Sequence, residues 1–335
     1  MGKYIITVDT GTTNTRCILW NEKREKMDEK KSPVGVRNTA IDGNNGKLKA
    51  AVKECLDKLI AENHIRYDDV RRVIASGMIT SNVGLVEIPH VVVPAGKEDL
   101  AKATKSVLLE DVCPVPIWFI PGVKNSGGRI TFENFETMDI MRGEEVEGVA
   151  IIDHYPRGRN YLLILPGSHT KFVSVDGEGK MTGCLTTITG ELLASITNDT
   201  IIADAVGRKF VEKSTYDKEM MLLGYDTALK CGIGRACFSG RILNQFVTGD
   251  KEKVANFIFG VALQNDITAI KNSGALQVTR DTTVVVGGKE PFSTAFADIL
   301  EHDGYFEKVE HFVSEEGMPL SALGAYAIAE LSGIL

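Results

Sequence analysis

The chain has 335 residues, enough for about two domains of ordinary size, which excludes a peptide hormone, a small disulfide-stapled scaffold and a lone DNA-reading module. Hydrophobic residues make up 43% and charged residues 25%, and 38 Lys plus Arg against 45 Asp plus Glu leave a formal charge of −7. A net acidic chain has no general attraction for nucleic acid or an anionic membrane, so any anionic ligand must be held by local donors.

No apolar stretch approaches the roughly 20 residues that span a bilayer, and the first ten residues lack a signal-peptide layout; the chain reads as cytosolic. Cys17, Cys55, Cys113, Cys184, Cys231 and Cys237 are scattered without a CxxC pair, which predicts free thiols rather than a zinc or redox site.

Tyr4–Val8 is a β-rich run, Asp9–Thr15 a polar Gly/Thr turn and Cys17–Trp20 a second apolar run, together a hairpin. The mixed charges of Asn21–Lys31 read as a solvated turn or sheet edge. Apolar positions from Lys47 to Asn63 recur at three- and four-residue spacing and predict an amphipathic helix. A strand is expected over Val70–Ala75, a helix over Glu98–Glu110 and a strand over Val115–Ile120. The hydrophilic stretch Asp153–Asn160 is the candidate domain boundary.

Beyond it the opening pattern returns: Tyr161–Leu165, a small polar turn at Pro166–Thr170, then Phe172–Val175. Two halves that begin alike suggest duplication. Helices are predicted over Glu191–Val206, Lys251–Ile270, Phe292–Leu300 and Leu320–Leu331, with a strand over Thr282–Val286. Strands and helices mixed in this order predict α/β layers.

The familiar nucleotide fingerprints are missing. There is no GxxxxGK[ST], and Gly177-Glu178-Gly179 lies between two strand patterns, as a hairpin tip would, rather than before a helix. The turn at Asp9–Arg16 carries more. Gly11 lets the backbone approach a ligand, consecutive amides form a nest for anionic oxygens, Thr12, Thr13 and Asn14 add side-chain donors, and Arg16 adds a fixed positive fork.

Asp9 suits a phosphate site only if a divalent cation stands between, so it is the candidate for holding magnesium, directly or through water. The second turn repeats the chemistry with Gly167, Ser168, Thr170 and Lys171. Ser168 and His169 are neighbours on a strand pattern and point to opposite faces, a poor nucleophile–base pair. Val284–Val286 ends in Gly287 and Gly288, where a flat base or ribose can lie against bare backbone.

This set, in this order, resembles the ATP-binding superfamily of sugar kinases, actin and heat-shock ATPases, and more closely the 2-keto-3-deoxy-galactonate kinase family. The segments that carry the likeness are DTGTTNTR at 9–16, ASGMITS at 75–81, VEIPHV at 86–91, DIMRGEE at 139–145, LPGSHTKFVSV at 165–175, TTITGEL at 186–192, FSGRIL at 238–243 and VVVGG at 284–288. One departure is Thr10, where many relatives carry Trp.

The resemblance implies an α/β chain of two ribonuclease H-like (actin-like ATPase) domains facing each other across an ATP cleft. Residues 1–155 would hold the sugar acid and the first phosphate turn; residues 156–335 would hold the second turn and, at Gly287-Gly288, the adenosine. It implies an ATP- and magnesium-dependent kinase acting on the 6-hydroxyl of 2-dehydro-3-deoxy-galactonate, with a sugar acid and ATP as its partners and no nucleic acid or membrane.

Ser76, Gly77, Met78, Thr80 and Ser81 would offer amides and hydroxyls to a polyol, and a cation, Arg142 or Lys171, should meet the substrate carboxylate. In the wider superfamily a catalytic Asp follows a Gly shortly before the second turn, a place occupied here by Gly143-Glu144-Glu145. Glu144, then Glu145, then Asp139 are therefore the candidates for the base. Two rivals stand beside this reading: a kinase of the same fold acting on another sugar or sugar acid, and a non-catalytic nucleotide switch, which would need no such base.

Overall fold

The computed structural model describes residues 2–314 and 318–331. β1 (Tyr4–Thr10), β2 (Thr15–Trp20) and β3 (Lys26–Ser32) open it, followed by α1 (Val36–Asp42), α2 (Gly46–Glu62) and β4 (Val70–Gly77). Then come β5 (Val91–Val92), α3 (Lys97–Ala103), β6 (Lys105–Val107), β7 (Ile117–Phe119), β8 (Val123–Lys124), β9 (Ile140–Met141) and α4 (Glu144–Ile152). The second half runs β10 (Tyr161–Leu165), β11 (Thr170–Val175), β12 (Met181–Thr187), α5 (Thr189–Asp199), α6 (Lys218–Phe246) and α7 (Lys251–Asn272). It closes with β13 (Thr283–Val286), α8 (Phe292–Asp303), β14 (Lys308–His311) and α9 (Leu320–Leu331).

The first sheet has the order β3-β2-β1-β4-β7-β6 and the second β12-β11-β10-β13-β14. Each begins with an antiparallel meander and adds two parallel strands beside its first strand. The second sheet thus repeats β3-β2-β1-β4-β7 strand for strand, the ribonuclease H-like topology twice over and the α/β arrangement of the actin-like ATPases. β13, a parallel strand covered on both faces, is the uninterrupted buried run expected of such strands.

The layers follow from which faces are apolar. Leu48, Val52, Leu56 and Leu59 of α2 close the outer face of the first sheet over Ile6 and Val8. α5 to α8 cover the far face of the second sheet, where Phe172, Ile258 and Phe296 are buried together. Between the sheets lies a shared core from α3, α4 and α9, including Val146, Val149, Ala325 and Tyr326, packed on Ile5 and Trp20 from one sheet and Leu163 and Val173 from the other. α9 packs on α4 and α3 and reaches β1 and β4, so the last helix returns to the first sheet.

Several expected elements change length. The helix expected over Glu98–Glu110 ends at Ala103, where the Thr104 hydroxyl turns back to the Leu100 carbonyl (2.9 Å) and the chain leaves as edge strand β6. The one expected over Glu191–Val206 starts at Thr189 and ends at Asp199; Thr200 bonds back to the Ile196 carbonyl at 2.7 Å in the same way. Asn21–Lys31 includes most of β3, which is an edge strand.

α7 buries Asp266 completely beneath the start of α5, where the Thr189 hydroxyl donates to it at 2.5 Å. Burial pushes this carboxyl up from 3.8 to about 6. Because the folded value is the higher one, its contribution to stability is full below the unfolded value and is lost as pH rises through about 6. Asp266→Asn should therefore stabilise the protein at pH 8 by on the order of 3 kcal/mol, an advantage that shrinks toward pH 4. Urea unfolding at the two pH values checks it: an equal difference at both would mean no linkage at Asp266, and a larger one at pH 4 the wrong sign.

Candidate active site

The two glycine turns face one cavity of about 330 Å³ at the carboxyl ends of β1, β4 and β10. Carboxyl ends of strands are where such folds bind ligands. From the first turn Gly11 and Thr12 line the cavity. Their carbonyls are taken by the amides of Val36 (3.2 Å) and Arg37 (2.9 Å) at the start of α1, which fixes the loop. Thr13 and Asn14 form the exposed tip, bonded to each other at 2.9 Å, and lie outside the lining.

From the second turn Pro166, Gly167, Ser168 and His169 line the cavity, and the Ser168 carbonyl accepts the Glu191 amide at 3.2 Å. Thr170 and Lys171 turn into the protein instead. Thr170 is fully buried, and Lys171 Nζ donates to the Ile140 carbonyl (3.1 Å) and Thr186 Oγ1 (2.5 Å). Gly287 is buried behind Leu165, and Gly288 lies against Pro166, next to the turn but outside the lining.

Three carboxylates line the cavity: Asp9 at the end of β1, and Glu144 and Glu147 one turn apart on α4. Asp9 accepts a hydrogen bond from Ser321 Oγ at 2.8 Å. Burial raises its carboxyl above the ordinary range, against the lowering pull of Ser321 and Arg16. Arg16 is the cross-strand partner of Asp9, but its guanidinium pairs with Glu29 of β3 at 3.0 Å and does not line the cavity.

Burial also raises Glu144, which Lys171 pulls down and Asp9 pushes further up. Glu147 is pushed up to about 8 by burial and then by the charges of Glu144 and Asp9. The other two candidates for the base lie elsewhere. Glu145 is fully buried, its Oε2 taken by the Gly143 amide at 2.8 Å. Asp139 accepts from the Thr186 amide (2.5 Å) and hydroxyl (3.0 Å) on β12.

This arrangement fits magnesium. Besides burial, Asp9 raises Glu144, and Glu144 and Asp9 raise Glu147, a crowding of like charge that a divalent cation would relieve. Among the described residues no group of three or more His, Cys, Asp or Glu could hold a metal by itself, so a bound cation would take the rest of its shell from phosphate oxygens and water.

The loop after β4 is placed differently from what its composition suggests. Gly77 (φ 84°) and Gly143 (φ 113°) take backbone conformations that favour glycine, and they bring the end of β4 and the start of α4 together: a Cβ on Gly143 would stand 3.4 Å from Gly77 Cα. Gly77 lines the cavity. Ser76, Thr80 and Ser81 are buried, Met78 packs into the outer core, and the Ser81 hydroxyl donates to the Met78 carbonyl at 2.7 Å.

Arg142 reaches the cavity. Its Nη1 donates to Thr80 Oγ1 at 2.7 Å and its Nη2 to the Ile88 carbonyl at 2.7 Å, with His90 Nδ1 3.4 Å from Nη2.

Glu147 and Ser321 were absent from the expected set. Glu147 had a signal in its i, i+3 spacing from Glu144, which places the two on one face once α4 forms. Ser321 had none, because it meets Asp9 from 312 positions away.

A profile of the 2-keto-3-deoxy-galactonokinase family matches residues 9–318. The chain is 24% identical over 300 residues to the 2-dehydro-3-deoxygalactonokinase of Escherichia coli (strain K12), covering 88% of this chain and 91% of that one. A solved structure of a Sinorhizobium meliloti protein assigned as a 2-dehydro-3-deoxygalactonokinase superposes with a TM-score of 0.75 at 21% identity, covering 97% and 98% of the two chains. Among the described residues no helix is long and apolar enough to cross a membrane. With both glycine turns and the carboxylate-lined cleft drawn from the region that the profile matches, the chain belongs to the 2-keto-3-deoxy-galactonokinase family and is a sugar kinase.

Proposed function

We propose that this kinase transfers the γ-phosphoryl group of ATP to the 6-hydroxyl of 2-dehydro-3-deoxy-D-galactonate in the cytoplasm, giving 2-dehydro-3-deoxy-6-phosphogalactonate and ADP in galactonate catabolism. The observation that carries the reading is the meeting of Asp9, both glycine turns and Glu144 on one cavity. Phosphoryl transfer asks a protein mainly for positioning and charge neutralisation.

The Gly11 amide closes its own turn on the Asn14 carbonyl at 2.9 Å, so the Thr12 amide on one side and the Gly167–Ser168 amides on the other hold the phosphates. Glu144 takes the acceptor proton, its raised pKa bringing it nearer the working pH than an ordinary carboxylate. Asp9 would hold magnesium, directly or through water, and the cation would supply neutralisation of phosphate charge. The acceptor lies on the side of residues 1–155, near Gly77, and the nucleotide on the side of 156–335, with its adenosine toward Gly288.

Gly11→Val and Gly167→Val test the two-turn site. A Cβ on Gly11 has its nearest neighbour 4.0 Å away and one on Gly167 has its nearest at 3.4 Å, so both variants should fold with unchanged thermal midpoints. In the ligand, however, the phosphates occupy that space, and ATP affinity measured by calorimetry should fall by about tenfold or more. Normal ATP binding in both variants would refute the assignment. ADP release across a panel of sugar acids tests the acceptor: turnover with another acid and none with 2-dehydro-3-deoxy-D-galactonate would replace the substrate and leave the ATP site standing.

A further inference from the structure

Among the described residues, Arg142 is the one Lys or Arg that lines the cavity, together with the acidic residues Asp9, Glu144 and Glu147; the carboxylates that act on its own charge are Glu145 and Glu87. An anionic acceptor entering a cavity that also holds these three carboxyl groups meets its complementary charge at this guanidinium. Lys171, the other cation in reach of the second turn, has its ammonium committed to Ile140 and Thr186.

The guanidinium does not hang freely. Thr80, about 1% exposed, donates its hydroxyl proton to the Gly77 carbonyl at 3.0 Å, which leaves its lone pairs to accept Arg142 Nη1. The Ile88 carbonyl holds Nη2, and His90 stands behind it, kept neutral by burial and then by the charges of Arg142 and Lys124, its pKa lowered to about 4. A fork held in the wall by one bond from each terminal nitrogen is a preoriented planar donor of the kind that suits a carboxylate.

We infer that Arg142 makes this kinase select an acidic acceptor and that Thr80 is its positioning residue, the buried hydroxyl aiming the guanidinium at the acceptor carboxylate rather than touching the sugar itself. The inference rests on the reading of the cavity as a sugar-acid kinase site and adds which side chains discriminate acid from neutral acceptor.

Steady-state kinetics of the full chain test it, with Thr80→Val, Thr80→Ser and Arg142→Lys compared against wild type on the sugar acid and on a neutral hexose. Val keeps the shape and removes the acceptor and donor; Ser keeps both. Thr80→Val should raise KM for the acid by about 10- to 100-fold while KM for ATP stays within about twofold, lowering the preference for acid over hexose; Thr80→Ser should restore it. Arg142→Lys keeps the charge but loses the fork and should lose the same preference with Thr80 intact.

A rise in KM for ATP in place of the acid, or equal losses on acid and hexose, would overturn the inference and leave the kinase reading standing. A wild-type enzyme that turns over no sugar acid would overturn both. Should Thr80→Val unfold, Thr80→Ala carries the same test for the hydroxyl, and Arg142→Lys that for the fork.

Discussion

Glu144→Gln should lower kcat by about 10²- to 10⁴-fold while leaving ATP affinity nearly intact, the loss expected when a positioned base is removed. Gln keeps the size of the side chain and discards its charge. Because Glu144 sits beside Asp9 and Glu147 at the edge of the cavity, discarding that charge also removes repulsion, so the variant should be no less stable than wild type. Any collapse in rate is then chemical.

The pH profile gives a second reading of the same group. Burial holds Glu144 above the ordinary 4.5, and a base must be deprotonated to work, so the rate should fall with acid from a higher pH than an ordinary carboxylate would give. That limb should disappear in Glu144→Gln. Near-normal turnover in this variant, with loss in Glu145→Gln or Asp139→Asn, would move the role to a neighbour. The geometry argues against that outcome, since Glu145 closes the turn at Gly143 and Asp139 ties β9 to β12 through Thr186.

How much of this was legible depended on range. The two turns were, because a Gly/Thr or Gly/Ser cluster between two apolar runs is a local pattern, and a hairpin folds largely from local contacts. The β1 and β10 hairpins stand where the sequence places them, at Asp9–Thr15 and Pro166–Thr170.

What each side chain of a turn does was less legible. Arg16, Thr170 and Lys171 are the right chemical types, yet each sits on a strand, and the neighbours on that strand's face decide the partner. Arg16 finds Glu29 because β3 pairs beside it, and Asn21–Lys31 read only as a polar edge. Thr80 and Ser81 looked like sugar ligands by composition, but a tight turn after β4 buries their hydroxyls against its own carbonyls. Ser321 was beyond reach altogether: nothing near Leu320–Leu331 announces that this helix crosses back over the first sheet to Asp9.

Gly324→Ala should destabilise the protein by about 1–3 kcal/mol and lower its thermal midpoint by several degrees. Helix propensity alone predicts the opposite, since Ala is favoured over Gly inside a helix by about 1 kcal/mol. Packing decides the sign. At the crossing of α9 and α4 a Cβ on Gly324 would stand 1.9 Å from the Val146 carbonyl oxygen and 2.9 Å from Val146 Cγ1, and backbone cannot swing aside as a side-chain tip can. The helices must separate in the middle of the shared core that joins the two sheets.

Catalysis should suffer with stability, because this crossing sits between two groups of the cavity. Val146 lies two residues from Glu144, and Gly324 one turn from Ser321, which holds Asp9. Pushing α9 outward draws the Ser321 hydroxyl off Asp9 and tilts the start of α4, so kcat should drop at temperatures where the variant is fully folded. Thermal unfolding and kcat measured on the same preparation check both halves. A variant as stable as wild type, or more so, would mean that α4 and α9 are not in contact at Gly324, and the C-terminal helix would then have no hold on the carboxylates of the cleft.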